Sequence, residues 1–252
     1  MRRGLAIYAA AAYLFLHLPL ATLILFSFNA SRFTLWEGFS LRWYKAVFTD
    51  AEMADAMWNS VIIAIVSTVI STIAGTLVAY ALWKRSSRLL SGSLYLSLVT
   101  PEIVTGISLL AFFQWTFRWL GWHLGLHTVI LAHVSFSIAY VAIVAVARLR
   151  TFDASLEEAA MDLGATEWRA FCRVTLPAIS PGIIAAGLLA LTISFDDYVI
   201  TSLVAGVDST TLPMVIYAMA RRGANPSINA ISALILVIFG AVILISERLR
   251  EA

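Results

Sequence analysis

Charge is scarce in this chain. Of its 252 residues only 13% are Asp, Glu, Lys or Arg, about half the share of an average soluble domain. A water-facing surface of this size could not be covered by so few ionic groups. Cysteine is nearly absent as well. Cys172 stands alone, so no intrachain disulfide can form, and its surroundings carry no metal-ligand or thiol-catalysis pattern. The arginines occur singly or in pairs between apolar runs, which excludes a basic nucleic-acid patch. There is no Gly-x-x-x-x-Gly-Lys-Ser/Thr phosphate loop, no clustered His/Glu metal motif and no nucleophile–base constellation. ATP hydrolysis and membrane-embedded enzyme chemistry are therefore not expected of this polypeptide. Neither a linker nor an internal repeat divides the chain, and one domain over 1–252 is expected.

What is present is apolar sequence, 61% of the chain, gathered into long runs. A spanning helix needs about 20 mostly apolar residues. Six segments qualify: Leu5–Phe28, Met57–Trp83, Leu89–Trp115, Leu126–Leu149, Ile179–Val204 and Ile228–Ser246. The second is dotted with Ser67, Thr68, Ser71, Thr72, Gly75 and Thr76, small residues that suit close helix packing in lipid. The first is too long for a signal peptide, and Phe28-Asn29-Ala30 is a poor cleavage site. With both ends inside, the inner set of basic residues is Arg2, Arg3, Lys84, Arg85, Arg88, Arg148, Arg150, Arg169, Arg173, Arg248 and Arg250. The outer set is smaller: Arg32, Arg42, Lys45, Arg118, Arg221 and Arg222. The positive-inside rule then places both termini in the cytoplasm.

The longest inner loop, 150–177, is patterned. Ser155 and Glu158 have capping-box spacing for a helix start. Leu156, Ala159, Ala160 and Leu163 recur at helical intervals as one apolar face. Gly164 suits a helix end, and Thr166 with Glu167 suits the start of a second short helix carrying Trp168, Phe171 and Val174. That helix is expected to stop before Leu176-Pro177.

Glu158-Ala159-Ala160, Gly164 and Leu176-Pro177 together resemble the "EAA" loop of binding-protein-dependent ABC importer permeases. The resemblance implies an all-α membrane protein of six spans, of the type I importer permease kind, whose loop docks a cytoplasmic ATPase. Glu158, Ala159, Ala160, Gly164 and Pro177 match the motif positions, and Ser155, Glu157, Asp162, Ala165 and Arg169 flank them in the expected docking set. It further implies a bacterial inner-membrane location, a homologous second permease, two ATPase subunits and a periplasmic or lipid-anchored solute-binding protein. ATP and Mg would sit on the partner ATPase, with no cofactor bound by this chain. An amphipathic helix lying on the inner leaflet is the plainer alternative for the loop.

Ser27-Phe28-Asn29 with Trp43-Tyr44, Pro101 to Ile107, Ser194 to Ile200, and Asn225 to Ala230 resemble the smaller permease of spermidine/putrescine importers. That branch also holds relatives for iron(III), opine and amino-acid-derived solutes. A stand-alone secondary transporter is the rival class, but it leaves the inner loop without a purpose.

Three acids fall within the predicted spans: Glu102 halfway along the third, just after Pro101, and Asp196 and Asp197 late in the fifth. A carboxylate at the bilayer centre costs about 2.5–3.5 kcal/mol to insert, so it faces a partner or a wet path. Apart from Arg148 at the inner end of the fourth, no Lys or Arg lies inside a predicted span, so these acids lack an obvious cationic partner in the chain. A path lined by these acids would attract a cation, with Phe195 and Tyr198 adding cation–π contact. Alternatively Glu102 sits in a broken helix near an outer gate, and Asp196 caps a kink or pairs across a dimer. His123 and His127 have helix-face spacing for a metal but read better as surface or interface residues. The loops 29–56 and 206–227 read as interfacial segments or as receivers of a binding protein.

Overall fold

A computed structural model describes residues 2–33, 35–223 and 226–251, with side chains placed for 4–33, 35–223 and 226–241. Asn225 and the side chains of Arg2, Arg3, Arg248 and Arg250, named above, lie outside the described residues. The helices run α1 (Arg2–Ser27), α2 (Arg42–Thr49), α3 (Ala51–Lys84), α4 (Arg88–Val99), α5 (Glu102–Leu120), α6 (Leu126–Leu149), α7 (Ala154–Asp162) and α8 (Glu167–Ala170). A π turn over Phe171–Thr175 leads into α9 (Leu176–Asp196), followed by α10 (Val199–Val204), α11 (Leu212–Arg222) and α12 (Pro226–Glu251). The Asn29–Phe39 bridge is the one β pairing among the described residues.

Five helical stretches are long and apolar enough to cross a bilayer: Gly4–Ser27, Ala51–Lys84, Glu102–Leu120, Leu126–Leu149 and Glu167–Asp196. Pro226–Ala241 is a shorter apolar stretch. The expected third span is not continuous. Pro101 has no N–H to donate, and Thr100 before it is extended (ψ 127°), as residues preceding proline tend to be. The run therefore splits into α4 and α5. The expected fifth span breaks too, at Asp197 (ψ 125°), and continues only as the short α10.

The chain forms two compact units, 1–55 with 215–252, and 56–214. In the first, α12 packs along α1 and α2. Asn29 organises the segment after α1: its Nδ2 donates to the carbonyls of Leu35 (2.8 Å) and Phe33 (3.3 Å), and its Oδ1 accepts from Glu37 N–H (3.0 Å). The Trp43 indole donates to the Asn29 carbonyl (2.8 Å), and the Ser27 and Tyr44 hydroxyls lie 2.7 Å apart. The paired motif Ser27-Phe28-Asn29 and Trp43-Tyr44 is thus a local clasp that seats the amphipathic α2. The expected loop 206–227 is largely helical, as α11.

In the second unit α6 is the central helix, packed against α9, α4, α10 and α5. Gly75 of α3 lies so close to α6 that a Cβ there would sit 2.7 Å from Val141 Cβ. This is the close approach in lipid that the small residues of the second span foreshadow.

Candidate translocation and coupling sites

The two breaks meet at one cavity. Thr100, Pro101, Glu102 and Thr105, the Asp196–Ile200 segment, and Phe136 and Tyr140 of α6 line a space of about 620 Å³. Glu102, Asp196, Asp197 and Tyr198 all line it, and no Lys or Arg does. Phe195, expected beside them, is not part of the lining. Backbone freed from helical pairing is tolerated at membrane depth where it is buried in protein or lines a wet cavity, and that is where both breaks fall. Glu102, in the first turn of α5, and Asp196, at the last residue of α9, are exposed. Neither carboxylate has an ion pair or a side-chain hydrogen bond among the described residues.

Asp197 differs. Its side chain is only 6% exposed, and its Oδ2 accepts from both the backbone N–H and the hydroxyl of Thr201 (2.8 Å each). His133 Nε2 lies 3.4 Å from the same oxygen. The expectation that all three acids lack a partner is therefore corrected for Asp197. A count limited to Lys and Arg overlooked His133, a histidine in mid-span, whose presence in an apolar run was the available signal.

At the other end of α9 the inner loop forms α7, α8 and the π turn. Asp153, not Ser155, caps α7, accepting from Ser155 N–H (3.0 Å). The Ser155 side chain first, and this N–H second, hold the Asp153 carboxyl below its ordinary range. Gly164 takes φ +90°, with its N–H donated to the Met161 carbonyl (2.9 Å) and that of Ala165 to Ala160 (3.0 Å). A left-handed helix end of this kind is easiest for glycine. Thr166 caps α8 as expected, accepting from Arg169 N–H (3.4 Å). The second short helix does not stop before Leu176-Pro177. It widens into the π turn and runs on into α9, with Pro177 at the start of that helix where a missing N–H costs little.

The faces of α7 are the reverse of a simple amphipathic pattern. Leu156, Ala159 and Leu163 point out, as do Ser155, Glu158, Asp162 and Arg169, while Ala160 and Ala165 are half-buried. Glu157 points in, at 1% exposure. Its Oε1 accepts from Lys84 Nζ (2.6 Å) and the Tyr80 hydroxyl (2.7 Å), and its Oε2 from the Thr175 hydroxyl (2.7 Å). Burial by itself would raise this carboxyl, but the bonds from Lys84, Thr175 and Tyr80 and the Lys84 charge outweigh it and hold the group below its ordinary range. Tyr80 also packs on Phe171 (4.4 Å between ring centres). One carboxylate thus ties α7 to the end of α3 and to the π turn. Its position in the chain groups it with the outward residues of the expected docking set, whereas its geometry makes it an internal anchor. The partners Tyr80, Lys84 and Thr175 carried no local sequence signal.

His123 and His127 are exposed, the latter against Phe117 and Trp122. No group of three metal-ligating side chains occurs among the described residues.

Known proteins are similar to this chain in sequence and in fold. The model of the family described as "binding-protein-dependent transport system inner membrane component" matches residues 71–252. The putrescine transport system permease protein PotI of Escherichia coli K12 is 44% identical over 91% of this chain and 84% of its own length. The spermidine/putrescine transport system permease protein PotC of Haemophilus influenzae is 36% identical over 95% of this chain and 93% of its own. Among solved structures, a chain of a bacterial ABC transporter for import of the acidic polysaccharide alginate superimposes with a TM-score of 0.76 at 18% identity, covering 98% of this chain and 96% of that one. A chain of the MetNI methionine ABC transporter gives 0.65 at 19% identity, over 77% and 92%. The all-helical fold, the several membrane-spanning helices and the match over most of the chain agree: this protein belongs to the binding-protein-dependent transport system inner membrane components, the permeases of ABC importers.

Proposed function

We propose that this chain is one of two permease subunits of an ATP-driven importer for a small organic polycation, a polyamine such as putrescine or spermidine. The observation that carries the reading is the cavity at the two helix breaks. It presents carboxylates from Glu102, Asp196 and Asp197 beside the rings of Tyr140 and Tyr198, with no basic residue in its lining. Such a surface attracts cations by charge and cation–π contact. The two curated relatives above are named for putrescine and spermidine/putrescine transport, which supports the same cargo class.

In this reading six spans cross the inner membrane, α12 supplying the sixth, with both termini in the cytoplasm and 1–252 acting as one permease domain. The outward Ser155, Glu158, Ala159, Asp162, Gly164 and Arg169 surface, with the apolar Leu156, Leu163 and Trp168 beside it, sits in a groove of one of two ATPase subunits. Ala160, Ala165 and Pro177 shape that surface. ATP and Mg are bound by the ATPases, and a separate binding protein delivers cargo on the far side.

The test is uptake and ATP turnover by the complex reconstituted with its second permease, ATPases and binding protein. Putrescine, spermidine, ferric iron and a neutral solute would be compared. Stimulation by the amines, lost in Glu102→Gln and Asp196→Asn, is the expected result. Stimulation only by a neutral or anionic solute would refute the cation path while leaving the importer intact.

A further inference from the structure

The tandem acids Asp196 and Asp197 sit side by side in sequence and in opposite surroundings. Asp197 is enclosed and its Oδ2 is saturated. The Thr201 hydroxyl has one proton, and at 2.8 Å from Asp197 Oδ2 that proton is committed to the carboxylate. His133 Nε2, 2.9 Å from the same hydroxyl oxygen, must therefore be the donor to it. On the other side of the ring Nδ1 lies 2.7 Å from the Ser194 hydroxyl, which lies 2.9 Å from the Ser67 hydroxyl. The chain Ser67–Ser194–His133–Thr201–Asp197 runs through α3, α9, α6 and α10, and every one of these residues except Asp197 is buried as a whole. It crosses the break between α9 and α10 from both sides. Asp196, one residue before Asp197, has no such partner and opens into the cavity.

We propose that Asp197, His133 and Thr201 are positioning residues: they lock the break after α9 so that Asp196 is presented to the cationic cargo, and Asp197 itself does not contact it. The inference rests on the cation-path reading and assigns the two acids different roles within it. A fully hydrogen-bonded network of this kind fixes one geometry, and a misplaced binding group is costly even when it remains present.

The experiment is a double-mutant cycle on uptake by the complete reconstituted importer, at saturating loaded binding protein, with putrescine as the probe. Asp196→Asn, Asp197→Asn and Thr201→Val should each slow uptake by about ten-fold or more. Thr201→Ser, which keeps the bridging hydroxyl, should restore it. Added to Asp196→Asn, either Asp197→Asn or Thr201→Val should slow uptake less than about two-fold further, because the group they position is already gone. Independent, multiplying losses would overturn the proposal, placing Asp197 on the cargo itself. So would full activity of Thr201→Val, or its failure to assemble when Thr201→Ser assembles, which would assign the network to folding. If Asp196→Asn alone leaves putrescine uptake unchanged, the cation path fails, and that outcome is distinct from additivity.

Discussion

Replacing Glu157 by alanine removes the acceptor for three hydrogen bonds of 2.6–2.7 Å at once. Deleting one partner of a buried ion pair costs about 3–5 kcal/mol when the other charge is stranded. Here Lys84 is not stranded, since its side chain is 28% exposed and can turn to water. The Thr175 hydroxyl cannot, because that residue is 0% exposed, and an unpaired buried hydroxyl costs about 1–3 kcal/mol. With the weaker loss at the half-buried Tyr80, the expected weakening of α7 docking is about 3 kcal/mol, or roughly two orders of magnitude in the docked population. The native thiol of Cys172, within the π turn that Thr175 closes, is a ready reporter. Maleimide labelling of the Cys172 peptide, read by mass spectrometry on the assembled complex, should accelerate at least ten-fold. Uptake per ATP hydrolysed should fall with it. Glu157→Gln should show a smaller effect, because its amide still offers an acceptor to Lys84 and Tyr80. The exchange Lys84→Glu with Glu157→Lys should rescue only in part, since a lysine at 157 restores the charge pair but accepts nothing from Tyr80 or Thr175. Unchanged labelling and unchanged coupling in Glu157→Ala would refute the anchor.

Three further outcomes follow from single features. At Gly164, φ +90° with nothing within 4 Å of an added Cβ makes any penalty purely backbone, about 1–2 kcal/mol for an ordinary L-residue. Gly164→Ala should lower uptake per ATP, and Gly164→Asn, which tolerates the left-handed region better, should lower it less. At Gly75, a methyl group would press on Val141 Cβ at 2.7 Å. Gly75→Ala should cost about 1–3 kcal/mol by overpacking and reduce the melting temperature in detergent, with Val141→Ala restoring part of the loss. The pH response of the inner loop has a definite sign. The folded Glu157 carboxyl lies below its ordinary 4.5, so its stabilisation is complete above that pH and is lost as pH falls through the lower, folded value. Hydrogen exchange of α7 should be flat in protection between pH 8 and 5 and lose protection only on further acidification. Loosening already at pH 6 would contradict the assignment.

Much of the fold was legible because a bilayer imposes length and composition on each span, and the runs around α1, α3 and α6 show both. Gly164 and Thr166 were legible as well, since helix ends demand particular side chains locally. What could not be read were the places where distant residues decide. Nothing near Glu157 announces that Tyr80, Lys84 and Thr175 will enclose it, and its apolar neighbours Leu156 and Leu163 invite the opposite assignment of faces. Asp197 looked unpartnered because His133, 64 positions earlier in the chain, meets it only through the packing of α6 on α9 and α10. Pro101 was visible as a disturbance, but whether it kinks a helix or splits it depends on the cavity that accepts the freed backbone.

The two sites are not separate features of the second unit, because α3 and α9 are pinned to each other near both. Ser67 of α3 meets Ser194 of α9 beside the cavity. About 20 Å further along α3, at 1.5 Å per residue, Tyr80 and Lys84 meet Glu157, which in turn holds Thr175 at the foot of α9. Pro181 interrupts α9 only in its second turn, so the helix from there to Asp196 has an unbroken backbone ladder. Two helices cross-linked at both ends by buried polar bonds resist sliding or rotating past each other, since either motion would unpair hydroxyls with no water to replace the lost partner. In the proposed importer a push by the ATPase on α7 is therefore delivered to the Asp196 end of α9 by movement of the pair as a body. The compliant point is the one the chain leaves with neither helical pairing nor a locking network: the Thr100–Pro101 break. It opens on the cavity, so displacement at the loop is converted there into a shift of Glu102 relative to the Asp196 carried by α9 rather than being dissipated along the way.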